Sequence, residues 1–177
     1  MRSIFISCIG ASERRRSKKA VDTFEKLRAA GKIKRWGVSN FDVDDMEDLF
    51  SLKNGRKCAA NQVLYNLENR EIEFDLLPWS QTNKIPIMAY APVGHSGALL
   101  RNPTLKKIAQ SHHATPGQIA LAWVLRKPDA IAIPKASTEA HVRDNATSVK
   151  IKLTKEDLTN LDREFPPPKS RKPLPML

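Results

Sequence analysis

Hydrophobic and polar positions follow two different spacings along most of the chain. Over residues 17–30 apolar side chains recur every three or four positions, which indicates an amphipathic helix, and Gly31 follows where a helix usually stops. Short apolar runs recur further along, each closed by proline, glycine or polar residues. These runs predict buried strands over residues 33–38, 59–64, 87–90 and 130–133.

Helical patterns separate the predicted strands. Thr115 followed by Pro116 predicts the start of one helix, and Thr154 with Asp157 three positions later predicts the start of another. Strands that alternate with helices favour parallel βαβ units, in which binding groups collect at the carboxyl ends of the strands. The further predicted helices run from Asp42 or Asp44 through residue 52 and over residues 75–82, 104–111, 116–126, 141–149 and 154–165, and the proline-rich remainder is predicted to be irregular.

The composition fits a single domain with a hydrophobic core. The chain has 177 residues, of which 41% are hydrophobic. Cys8 and Cys58 lie far apart and outside any Cys/His cluster, so we predict no disulfide framework, no metal site and a reducing, cytoplasmic compartment. No apolar run approaches the ~18 residues of a spanning helix, and the first is too short for a signal peptide, so we expect no membrane association.

The net charge of +11 raises the alternative of a nucleic-acid binder. Residues 1–19 carry a net +5 and the tail from Pro166 carries +3, which leaves +3 for the residues between them. No interleaved aromatic residues or recognition motif accompany the basic stretches. We therefore expect no nucleic-acid partner.

Each predicted strand ends in a characteristic sequence motif. The motifs are GKIKRWGVSNF at 31–41, NQVLYN at 61–66, AYAPVG at 89–94, and IPKAS at 133–137 followed by HVRDN at 141–145. In this order and spacing they resemble the C-terminal half of the aldo-keto reductases, a family of (β/α)8 barrels that use NADPH to reduce carbonyl groups. The resemblance covers residues 20–177 and implies an α/β fold, a partial (β/α)8 TIM barrel built of four C-terminal βα units.

The resemblance implies a site for the nicotinamide end of NADPH. Ser39, Asn40 and Gln62 correspond to residues that hydrogen-bond the carboxamide, and Tyr90 corresponds to the aromatic residue that stacks on the ring. Taken without the family, the first three leave ordinary capping of strand ends as an alternative. A tyrosine in such a position is often a core residue with a satisfied hydroxyl.

The resemblance also implies a site for the adenosine end. Lys135 stands where the family holds the 2′-phosphate, and Ser137 and Thr138 offer hydroxyl donors there. Asp144 and Asn145 match the pair beside the adenine. A lysine after a strand is, by itself, more often solvated. His141 stands where many relatives carry an arginine, which weakens the bidentate grip on the phosphate and the preference for NADPH over NADH.

The family's proton donor is not among the residues that the resemblance covers. In the family a tyrosine, a lysine, an aspartate and a histidine on or after the second to fourth strands deliver the proton and orient the carbonyl. The resemblance here covers only the fifth to eighth strands, so we assign no catalytic residue. The chain is interpreted as a fragment of a reductase of small carbonyl substrates, inactive alone. The alternative is a non-catalytic module that binds a cofactor or a partner.

Residues 1–19 differ in character from the rest. They place an apolar run over residues 4–9 against Arg14, Arg15 and Arg16. Read in another frame, permitted codons for residues 2–10 give Leu-Asp-Leu-Tyr-Leu-Leu-His-Trp, which resembles the family's fourth strand. We therefore predict that residues 1–19 are a frameshifted, non-family segment and that residues 20–177 are the family domain.

A half barrel would leave two strand edges unpaired and its inner face uncovered. Exposed apolar surface is costly, at ~25 cal/mol per Å². We therefore expect this chain to form a homodimer or to aggregate through those edges.

Overall fold

The structure, a computed structural model, describes residues 14–177, with side chains from residue 18 onward. The strands are β1 (Val38–Ser39), β2 (Asn61–Leu64), β3 (Ile87–Tyr90) and β4 (Ala130–Ile133). The helices are α1 (Arg14–Ala29), α2 (Val43–Ser51), α3 (Leu76–Asn83), α4 (Ala98–Arg101), α5 (Pro103–Ser111), α6 (Pro116–Leu125), α7 (Glu139–Thr147) and α8 (Lys155–Glu164). Single 3-10 turns occur at Gly55–Lys57, Glu71–Glu73 and Ser148–Lys150. No helix in this part of the chain is long and apolar enough to cross a membrane.

The strands form one parallel sheet in the order β1-β2-β3-β4. Each strand therefore pairs with the next strand along the chain, and the carboxyl ends of all the strands meet at one edge. The register aligns Ser39 with Gln62, Gln62 with Met88, and Met88 with Ile131. A second aligned row joins Leu64, Tyr90 and Ile133.

The two faces of the sheet differ in burial. Val38, Asn61 and Ile87 share one aligned row and are almost completely buried. Alternate residues of a strand point to opposite faces, so the next row points the other way. In that row Ser39, Gln62 and Met88 are half-buried and Ile131 is 43% exposed. The hydrophobic core thus lies on one face of the sheet, under the helices.

The helix signals in the sequence are confirmed at several ends. Gly31 lies just after the end of α1 and has φ +68°, a conformation that glycine adopts without a steric penalty. Asp42, and not Asp44, caps α2, because its carboxylate accepts a hydrogen bond from the Asp45 N–H at 2.9 Å. Reciprocal capping boxes start α6 at Thr115 and α8 at Thr154. The strands predicted at 87–90 and 130–133 also match β3 and β4.

Two predicted elements have wrong bounds, and one short helix was not predicted. The predicted strand at 33–38 is replaced by the two-residue strand Val38–Ser39, and Ile33 is buried by packing without lying in a strand. Trp36 lies before the strand, although its carbonyl oxygen accepts a hydrogen bond from the Ala59 N–H at 2.9 Å. The predicted helix at 141–149 instead starts at Glu139, since the Thr138 hydroxyl accepts a hydrogen bond from the His141 N–H at 3.2 Å and so caps it. The short α4, after Gly97, was not predicted.

The N-terminal predictions fall partly outside the described residues. Helix α1 begins at Arg14, three residues before the predicted start at Ser17. Residues 1–13, which carry the apolar run, Cys8 and most of the predicted frameshifted segment, lie outside the described residues.

Candidate functional site

The carboxyl ends of β1 and β2 bring three of the expected site residues together. The Ser39 hydroxyl donates a hydrogen bond to the Gln62 carbonyl oxygen at 3.1 Å, and the Asn40 N–H donates to the same oxygen at 2.8 Å. Ser39 and Gln62 are also direct partners in the strand register. These contacts fix a small polar cluster at the edge where the strands end.

Asn40 has two features that set it apart within this cluster. Its φ is +56°, in the left-handed region where asparagine is tolerated better than most residues. Its side-chain oxygen Oδ1 is buried and accepts no hydrogen bond. A buried acceptor without a donor is costly, so this oxygen suits a ligand that supplies an N–H or O–H group.

Tyr90 ends β3 and lies two positions after Met88, the β3 partner of Gln62. It aligns with Leu64 on one side and with Ile133 on the other. Its ring is half-buried, on the less covered face of the sheet. Ala91 follows with φ +46°, which is an unusual conformation for a residue with a Cβ atom.

The expected phosphate-binding residues lie after β4. Lys135 and Ser137 are exposed and precede the first turn of α7. The amino end of a helix carries a partial positive charge, which adds to the charge of Lys135. His141, in the first turn of α7, is exposed as well. The arrangement is open to solvent and favours an anion.

The expected adenine pair has a partner that the sequence did not reveal. The Gln118 side-chain amide donates to the Asp144 carboxylate at 2.8 Å and to the Asp144 carbonyl oxygen at 3.2 Å. Asp144 is therefore tied to α6. Asn145 lines an open apolar cavity of about 430 Å³ between β4, α6 and α7, together with Pro134 and Ala136.

Two further residues near these strand ends, Asn61 and Asn66, were not predicted from the sequence to belong to the site. Both are fully buried, and the amide of each donates to a backbone carbonyl of a neighbouring strand end. The motif NQVLYN could have indicated them, because it places one asparagine at the start of a buried strand and the other just after its end. Buried asparagine must find hydrogen-bond partners, so such positions mark fixed backbone.

The described residues at this edge do not form an acid–base pair or a metal centre. No group of three His, Cys, Asp or Glu residues in the described range is arranged to hold a metal ion. Burial raises the pKa of Cys58 to about 11 and raises the pKa of Tyr65 further, so both stay protonated near neutral pH. The arrangement can bind and orient a ligand with amide and phosphate groups.

Comparison with known proteins adds the family. The aldo/keto reductase family model matches residues 11–164. The chain belongs to the aldo/keto reductase family. This match confirms the resemblance to the family that was based on the strand-end motifs. Methylglyoxal reductase YeaE of Escherichia coli (strain K12) is 46% identical over 161 residues, which cover 89% of this chain and 57% of that protein.

Solved aldo/keto reductases share the fold of this chain. The crystal structure of an aldo-keto reductase from Klebsiella pneumoniae in complex with NADPH superimposes with a TM-score of 0.91 at 41% identity. A second structure from that organism, in complex with NADP and acetate, gives a TM-score of 0.92 at 41% identity. Each match covers 100% of this chain and 63% of the other. This aldo/keto reductase chain thus spans about 60% of the length of these relatives.

Proposed function

We propose that this chain is the NADP(H)-binding part of a carbonyl reductase and that it does not reduce carbonyl groups by itself. The observation that carries the proposal is the buried Oδ1 of Asn40, which has no donor at the strand edge where Ser39 and Gln62 meet. An amide donor is the group that this oxygen lacks. The nicotinamide carboxamide supplies one, so the residues fit the cofactor.

Each residue has a separate role in the proposal. Asn40 accepts a hydrogen bond from the carboxamide, Ser39 and Gln62 fix its orientation, and Tyr90 offers its ring to the nicotinamide face. At the other end Lys135 and Ser137 bind the phosphate near the start of α7. Asp144, held by Gln118, and Asn145 lie beside the adenine.

The reduction itself needs a proton donor as well as the cofactor. When bound, NADPH supplies a hydride to the carbonyl carbon of a small substrate. The chain has two tyrosines, and Tyr65 donates its hydroxyl to Glu73 at 2.5 Å in a buried site. Loss of general acid catalysis alone lowers rates by ~10²- to 10⁴-fold, so we propose no measurable turnover by this chain.

The proposal is tested by titrating the purified chain with NADPH and following cofactor fluorescence. We expect weak, saturable binding that Asn40→Ala weakens about tenfold, the equivalent of one hydrogen bond. Gln81→Ala, on the exposed side of α3, is the matched control and leaves the affinity unchanged. No binding by the unaltered chain, or equal effects of both variants, contradicts the proposed site.

Activity is tested separately with a reactive aldehyde such as 4-nitrobenzaldehyde. We expect no NADPH-dependent turnover above the uncatalysed rate. Turnover that Tyr90→Ala abolishes contradicts the proposed inactivity, because it then comes from this chain and not from a contaminating reductase.

We also propose that residues 1–19 are a frameshifted segment and that residues 20–177 are the family domain, acting in the cytoplasm without a nucleic-acid partner. The support is that permitted codons for residues 2–10, read in the shifted frame, give a sequence that resembles the family's fourth strand. Sequencing the coding DNA tests this proposal. Codons for Cys8, Ile9 and Gly10 that do not give His-Trp in the shifted frame contradict it.

A further inference from the structure

Two buried asparagines lie at the two ends of β2, one at its start and one just beyond its last residue. Asn61 is the first residue of β2, and Asn66 follows its last residue by two positions. Both have 0% exposed surface. A fully buried amide in a strand needs partners for its oxygen and its nitrogen, and the partners that each one takes are informative.

Asn61 holds the end of β1. Its Nδ2 donates to the Phe41 carbonyl oxygen at 2.7 Å, and its Oδ1 accepts from the Phe41 N–H at 3.4 Å. The side chain therefore brackets one residue, Phe41, from both its polar groups. Phe41 directly follows Asn40, whose φ is +56° and whose Oδ1 is the unpartnered acceptor of the site.

Asn66 holds the residue after β3 by a single hydrogen bond. Its Nδ2 donates to the Ala91 carbonyl oxygen at 2.9 Å. Its Oδ1 accepts from the backbone N–H groups of Glu68 and Asn69, both at 2.9 Å, which anchors the asparagine in its own turn. Ala91 directly follows Tyr90 and has φ +46°, a conformation that needs support in a residue with a Cβ atom.

We propose that Asn61 and Asn66 are positioning residues, which reach from β2 to the neighbouring strand ends and fix Asn40 and Tyr90 for the cofactor. The inference rests on the proposed function, because it assigns these two groups to the nicotinamide. Neither asparagine contacts the cofactor in this proposal. Asn61 acts through Phe41, which follows the binding residue Asn40, and Asn66 acts through Ala91, which follows Tyr90 and has positive φ.

The test separates this role from a general contribution to the core. Asn66→Ser keeps a hydroxyl that can accept the hydrogen bonds of its own turn, but it gives up the bond to Ala91 without burying a charge. We expect the dissociation constant for NADPH to rise about tenfold, the equivalent of one hydrogen bond. Asn66→Asp, which keeps the acceptor and loses the donor, is the second variant and shifts affinity in the same direction.

Ala91→Gly provides the rescue. Glycine adopts positive φ without steric cost, so it does not depend on the bond from Asn66. In that background Asn66→Ser should change the dissociation constant by no more than about twofold. An unreduced effect overturns the proposed route through Ala91. Ile108→Val, buried in α5, is the stability control and leaves the affinity unchanged although it lowers the melting temperature.

A second readout does not depend on the cofactor. The three-bond HN–Hα coupling of Ala91 and the ring proton shifts of Tyr90 report the positive φ and the ring position directly. We expect both to change in Asn66→Ser and not in Ile108→Val. Unchanged values overturn the inference, whether or not NADPH binds. Failure of the unaltered chain to bind NADPH, with these values changed, contradicts the proposed function and leaves the positioning role supported.

Discussion

A buried cluster of charges surrounds Glu73, in the 3-10 turn after β2. One carboxylate oxygen accepts from the Tyr65 hydroxyl and from Arg126 at 2.9 Å, and the other accepts from Arg70 at 2.6 Å. Arg70 and Arg126 also lie against the ring of Trp123. Burial alone would raise the pKa of Glu73, but these hydrogen bonds outweigh it and hold the pKa below its ordinary value.

We predict that Glu73→Gln lowers the free energy of unfolding by about 3 kcal/mol. Among the described residues Arg126 loses its one carboxylate partner, and Arg70 loses one of two and keeps Asp162. Urea denaturation at pH 7 measures the loss. Glu139→Gln is the matched control, since Glu139 pairs with Arg143 on the surface and both side chains are more than three-quarters exposed, at 78% and 77%. Equal losses in the two variants contradict the prediction.

The same lowered pKa of Glu73 predicts a pH dependence. A carboxyl whose pKa is lower in the folded state stabilises the protein above the pKa of the unfolded state and loses that contribution as pH falls through the folded value. The carboxyl of Glu25, held by Arg28, has a pKa lowered to about 2 and acts in the same direction. We expect unfolding to become easier as pH falls below about 4.5, the ordinary value for glutamate, and the difference between the unaltered chain and Glu73→Gln to shrink there.

At the level of elements, the sequence predicted best where a local signal and the final packing agree. The box at Thr154 and Asp157 marked the start of α8 because the cap is formed by the residues themselves. The strand predicted at 33–38 was wrong over most of its length because an apolar residue can be buried by packing, as Ile33 is, without belonging to a strand. Burial and strand pairing are separate properties, and an apolar run in the sequence indicates burial but not pairing.

The candidate site was predictable for a similar reason, but only in part. Ser39 and Gln62 end their strands, and the parallel register brings them together as expected. The hydrogen bond from Gln118 to Asp144 joins residues 26 positions apart on two different helices, and no local sequence pattern predicts it. Contacts of that kind depend on how elements pack.

The C-terminal segment is irregular, but charges hold it against the carboxyl edge of the sheet. The Arg171 guanidinium contacts Asp44 at 2.9 Å, Asp75 at 3.0 Å and Asp42 at 3.3 Å. These carboxylates lie at the starts of α2 and α3 and raise the pKa of Arg171, so the guanidinium remains charged. The segment is thus tied to two different helices by one side chain.

We predict that the double variant Asp44→Asn, Asp75→Asn frees this segment without altering any trypsin site in it. Cleavage after Lys169 and Arg171, followed by mass spectrometry, should become several-fold faster. Asp48→Asn, exposed on α2 and remote from Arg171 contacts, is the control and leaves the rate unchanged. High salt screens exposed ion pairs, so it should narrow the difference between the variants. A difference that is equally large in high salt contradicts the electrostatic explanation.

At the scale of the whole molecule, the described residues leave part of the sheet without a neighbour. Within this range β1 pairs only with β2 and β4 pairs only with β3. Ile131, Val142 and Val149, beside the apolar cavity next to β4, are 43%, 55% and 62% exposed. Open strand edges and apolar surface both favour association.

We predict that the chain is a dimer or a larger species in solution, with β4 and its apolar cavity in the contact. About 400 Å² of apolar surface left in water forfeits ~10 kcal/mol, which is comparable to the stability of a whole domain. Two copies that meet through this surface recover part of that energy, and a closed two-fold arrangement limits further growth. Sedimentation velocity over a range of concentrations measures the distribution, and Ile131→Lys with Val149→Lys should shift it toward the monomer. Met176→Lys, an equally apolar position in the exposed tail, should not. A compact monomer of 19.9 kDa with a cooperative melt contradicts the prediction, because an uncovered apolar face of this kind is incompatible with a stable isolated fold.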